Sequence, residues 1–94
     1  MTEGPQRGVR LTLHARTAMA RRQISERDVR AVLASPQVVL PGNRAGRQIV
    51  QGLATIGDPP QKVLLRVVLD SGQSPPAVVT VYATTQFERY GVEP

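Results

Sequence analysis

A single histidine, His14, heads an arginine-rich run, His14-Ala15-Arg16-Thr17-Ala18-Met19-Ala20-Arg21-Arg22. Imidazole exchanges protons near neutral pH, and guanidinium forks match the oxygens of phosphates and carboxylates. An imidazole among guanidiniums is a kit for phosphate chemistry. Little else here moves protons: there is no cysteine, and the seven carboxylates are scattered. The chain has no glycine-rich phosphate loop, paired-carboxylate motif or nucleophile triad, which argues against small-molecule metabolism. One histidine and no cysteine also exclude disulfides, thiolate metal sites and multi-histidine zinc sites. Neither metal nor cofactor is expected.

Spacing sharpens the kit. At about 100° per residue, His14, Ala18 and Arg21 fall nearly in line along a helix, with Arg22 rotated by about 80°. That rotation puts Arg22 beside Ala15 and Ala18 and predicts its partial burial against a partner. The net charge is +5, and Lys62 is the only lysine, so the basic surface is arginine and an anionic partner such as RNA fits it. No apolar run approaches the roughly 18 residues of a membrane span. Residues 1–8 show no signal-peptide core, which leads to the expectation of a cytoplasmic protein with no membrane partner.

The elements that must position these groups follow from periodicity. Residues 1–9 read as a flexible tail and residues 10–91 as a single α+β domain. A helix is predicted from Leu13 to Arg22. A second runs from about Glu26 to Ala34, capped by Ser25, with Glu26 and Asp28 in its first turn and Pro36 beyond its end. Val29, Val32 and Leu33 form its buried stripe. The period then becomes two. Strands are predicted over Val38–Leu40, Gln48–Ile56, Lys62–Asp70 and Ala77–Thr84, and a short helical turn over Gln86–Tyr90. The expected fold is two N-terminal helices packed on one face of a twisted three- or four-stranded antiparallel sheet.

Alternation assigns the faces. Val63, Leu65, Val67 and Leu69 share one side with Val79, Val81 and Ala83, and belong under the helices. The other side carries Leu64, Arg66, Val68 and Asp70 with Val78, Thr80, Tyr82 and Thr84. A permanent cation, hydroxyls and an aromatic ring on one face suit a nucleotide, while the bland alternative pairs Arg66 with Asp70 or Glu88 on a solvated face.

The order of His14-Ala15, Met19, Arg22 and Ile24, then Leu65-Arg66-Val67-Val68, then Val79-Thr80-Val81-Tyr82-Ala83-Thr84, then Arg89-Tyr90 resembles a family of small bacterial domains of unknown function. That family is in turn similar to the RelE-like ribonuclease toxins of the barnase–EndoU–colicin–RelE fold group. The resemblance covers Leu11 to Tyr90. It implies metal-independent RNA cleavage by 2′-hydroxyl attack on phosphate, restrained by an antitoxin-like protein partner. Carried over, His14, Arg66 and Tyr82 would be catalytic, and Arg21, Arg22, Thr80, Thr84 and Arg89 would bind substrate. Three positions depart from the pattern: Ala18 replaces an arginine, Gln23 a glycine and Gln86 a lysine.

Two other functions stay open on the residues alone. One is a non-catalytic RNA- or protein-binding module using the same face. The other is a self-pairing protein with Leu64, Val68 and Val78 in its interface.

Overall fold

The computed structural model describes residues 8–92. Helix α1 spans Leu13–Arg22. Thr12 caps it, its hydroxyl accepting from the Ala15 amide at 3.1 Å. It stops where Gln23 turns left-handed (φ 58°) and the Ile24 amide bonds back to the Met19 carbonyl at 2.9 Å. Helix α2 spans Glu26–Ala34, with Ser25 accepting from the Asp28 amide at 3.1 Å as its cap. The predicted bounds of both helices hold. None of the described helices is long and apolar enough to cross a membrane.

The strands are β1 (Arg10–Leu11), β2 (Val38–Pro41), β3 (Arg47–Ile56), β4 (Gln61–Asp70) and β5 (Ala77–Thr84), in the order β1-β5-β4-β3-β2. The sheet therefore has five strands rather than three or four, and it is mixed rather than antiparallel. The difference is β1, which pairs parallel with β5. Val9 and Leu11 are buried, and the amides of Arg10 and Thr12 bond to the carbonyls of Pro76 and Val78. Two residues are too short a strand for alternation to reveal. Of the expected tail, residues 1–7 lie outside the described residues, and Val9 is in the core.

Buried residues of both helices join one cluster with Val50, Val63, Leu65, Val67, Val78 and Val81. Each fully buried Leu or Val here contributes about 1.5–3 kcal/mol. α2 comes close to β3 because residue 52 is glycine: a Cβ there would lie 3.0 Å from a Val32 methyl.

A bulge alters the expected faces. Val68 pairs with Thr80 but Leu69 pairs with Val78, which leaves Val79 as the extra residue. Val78, not Val79, is therefore the fully buried core residue. Beyond the bulge the predicted alternation holds, with Val67 facing Val81 and Arg66 facing Tyr82. Leu64 is also fully buried, so Leu64 and Val78 are not free for an interface.

After β5 the chain makes a 3₁₀ turn over Glu88–Tyr90. Gly91 adopts a left-handed φ of 73°, and the Val92 amide closes the turn on the Phe87 carbonyl at 3.0 Å. Val92 is buried. This segment shapes what happens at Arg66.

Candidate functional site

Arg66 lies mid-strand on β4 and is only 7% exposed. Its Nε donates to the Gln51 Oε1 at 2.6 Å, and its Nη1 donates to the Tyr82 hydroxyl. The guanidinium carbon stands 3.9 Å from the centroid of the Tyr90 ring, which stacks on it. Gln51, itself fully buried, donates to the Tyr90 carbonyl at 3.2 Å, tying the C-terminal turn to β3. Arg66 therefore pairs with neither Asp70 nor Glu88. Asp70 takes Arg47 at 3.5 Å instead, and among the described residues Arg66 has no carboxylate partner. The expected open polar face is closed at this point by Tyr90. Gln51 was legible as a polar residue inside a strand, but its role needed the β3–β4 register, which places it opposite Arg66.

The Tyr82 hydroxyl accepts from Arg66, so its own proton is left for another partner. Its ring is half-buried and lines a groove of about 400 Å³ with Gly42, Arg44, Arg47, Ile49 and Val68.

The helix kit stands elsewhere. His14, Arg21 and Arg22 line one recess of about 280 Å³ with Thr17, Ala18 and Thr80. The helical spacing explains this: residues 14, 18 and 21 share a line, and that line runs beside β5. His14, Arg21 and Arg22 are all exposed. Arg22 was expected to be half-buried with a partner. It is the last residue of α1, where the chain turns away, and it makes no ion pair among the described residues; nor does Arg21. Ala18 is buried, so a longer side chain there would disturb the contact between helix and strand.

Thr80 joins the two regions. It lines the His14 recess, and it faces Val68, a groove residue, directly across the β4–β5 ladder. Such opposed residues have Cβ atoms about 4.5–5.5 Å apart. The remaining predicted binders lie apart from this junction. Thr84 lines a neighbouring hollow with Ile56 and Thr85, which shares Arg22 with the His14 recess. Arg89 sits on the C-terminal turn, donating to Gln86 at 3.1 Å.

The family model described as Domain of unknown function (DUF4258) matches residues 11–83. The chain belongs to that family. No curated protein and no solved structure matches it. The DUF4258 span holds His14, Arg21, Arg22, Arg66, Thr80 and Tyr82. The Tyr90 cover, Thr84 and Arg89 lie beyond it.

Proposed function

We propose that this DUF4258 chain is a metal-independent endoribonuclease of toxin type, with the RelE-like fold of two helices on one face of the sheet. The observation that carries the proposal is the grouping of His14, Arg21, Arg22 and Thr80 around one open recess next to the Tyr82 groove. A phosphodiester seated there has guanidiniums for its oxygens and an imidazole for its sugar. His14 takes the 2′-hydroxyl proton, and the 2′-oxygen bonds to phosphorus. The bond from phosphorus to the 5′-oxygen breaks, and the Tyr82 hydroxyl gives its proton to that leaving oxygen. Arg21 and Arg22 hold the charge that builds on the phosphorane. Thr80 orients the sugar. Arg66 is a positioning residue: it fixes the Tyr82 hydroxyl from within the fold. An antitoxin-like protein partner would act by covering the recess.

The reaction yields a cyclic 2′,3′-phosphate and a 5′-hydroxyl, with no external co-reactant. Cleavage should therefore persist in excess chelator. The His14→Ala variant should lose it while keeping the wild-type unfolding midpoint. Intact RNA after incubation with wild-type protein at high concentration would refute the proposal.

The enclosure of Arg66 favours a second reading, an RNA-binding module without chemistry, because one expected phosphate ligand is already engaged. It is distinguished by salt-sensitive RNA binding with no product.

A further inference from the structure

We infer that the groove between the β2–β3 loop and Tyr82 is a subsite for one nucleotide of single-stranded RNA, next to the nucleotide held in the His14 recess. This inference rests on the proposed RNA-directed function. Four observations carry it.

The first is the floor. Ile49 and Val68 are paired across β3 and β4 and are half-buried, giving an apolar strip on the sheet. The second is the wall. Tyr82 faces Arg66 in the next rung, and the hydrogen bond from Arg66 fixes its ring beside that strip. A flat apolar floor with a fixed aromatic wall takes a nucleobase, because every base offers a π-face.

The third is a cation at the rim. The loop from Pro41 to Arg47 is shaped so that Arg44 stands at its tip. The Gly42 amide bonds to the Arg47 carbonyl at 2.9 Å, and a Cβ on Gly42 would lie 2.7 Å from the Arg47 Cβ. Gly46 supplies a φ of 83°. Arg47 is committed to Asp70, but among the described residues the exposed side chain of Arg44 makes no hydrogen bond or ion pair. A phosphate beside the base would pair with it.

The fourth is continuity. The groove and the recess meet at the Val68–Thr80 pair, so one strand of RNA can lie across both. The groove would then hold the base beside the cut by stacking, whatever its identity, and the recess would hold the scissile phosphate.

The test uses the full chain in a His14→Ala background, so that no RNA is consumed. Binding of a labelled single-stranded hexanucleotide is followed by fluorescence anisotropy. Arg44→Glu should weaken binding by about tenfold and flatten its salt dependence by about one phosphate contact. A hexanucleotide carrying 4-thiouridine should cross-link to Tyr82 under ultraviolet light. Unchanged affinity for Arg44→Glu, or cross-links confined to α1, would overturn the subsite while leaving the RNA-directed reading intact. No RNA binding by the parent would remove both. Displacement of the RNA by a glutamate-rich peptide of equal charge, as effectively as by unlabelled RNA, would also overturn the subsite, since it would then read charge and not a base.

Discussion

Two arginine sites face opposite fates in this chain. Arg66 on β4 is wrapped by Gln51, Tyr82 and Tyr90, all neutral. Arg21 and Arg22 on α1 stand exposed with no ion pair among the described residues. The buried cation directs its Nε and Nη1 bonds to Gln51 and Tyr82 and lies under the Tyr90 ring, so it organises; the exposed pair has no such ion pair, so it is available to an incoming anion. Cations equivalent by residue type thus divide into a scaffold and a binding surface. Environment decides which, because desolvating a guanidinium demands partners and leaving it in water does not.

The sharpest way to break this contrast is Arg66→Met. It leaves the Gln51 amide oxygen and the Tyr82 hydroxyl without their shared donor. We expect a loss of about 2–4 kcal/mol in urea unfolding. Arg21→Ala and Arg22→Ala should leave the unfolding midpoint in place. A stable Arg66→Met protein with lost RNA binding would reverse the two roles. Tyr90 tests the same cluster more gently. Tyr90→Ala removes the stacked ring and should cost about 2 kcal/mol, whereas Tyr90→Phe keeps the ring and should cost little. Equal losses from both would place the contribution in the hydroxyl and not in the stacking.

The sequence exposed these two regions to different degrees. Ser25 and Pro36 bracket α2, and the spacing of residues 14, 18 and 21 supplies the helix side of the recess, so local pattern was enough there. Thr80 and Tyr82 were placed by alternation, which survives because the bulge at Val79 precedes both. The Arg66 cluster was not legible. Gln51 meets Arg66 only through β-sheet register, and Tyr90 reaches it from 24 positions further on through a turn that alternation does not describe. Likewise, β1 is two residues long and its partner lies across both helices and three strands, so nothing local marks it. Val78 and Val79 are the same residue type, so composition could not say which one bulges.

On the exposed side, the contrast is sharpened by salt. Each phosphate contact to a single strand contributes about 0.7 to the slope of log affinity against log salt. Replacing both Arg21 and Arg22 by Ala should therefore lower the slope by about 1.4. Arg66→Gln should change it little if the buried cation meets no phosphate. A comparable drop in slope for Arg66→Gln would show that RNA lifts Tyr90 away and reaches the guanidinium.

Acid provides the smallest effect, and it separates the regions by chemistry. The Arg66 cluster contains no carboxylate. The titrating groups lie at the edges of the fold. A hydrogen bond from Arg30, above all, holds the Glu26 carboxyl below its ordinary value of 4.5, with Arg16 adding to it. The Gln73 side chain, then the Gly72 amide and Arg47, hold Asp70 below its ordinary 3.8. A carboxyl with a lowered folded pKa adds stability that is complete above its unfolded value and is lost as pH falls through the folded one. The unfolding midpoint should therefore stay level from neutral pH to about pH 5 and decline below it. The decline should be slight and weaker in high salt, because these groups are in contact with water. Glu26→Gln and Asp70→Asn should each flatten it. The penalty of Arg66→Met should be the same on both sides of that decline. If acid abolished that penalty, a carboxylate would have to be supporting the buried guanidinium, and the division between a neutral scaffold and charged edges would fail.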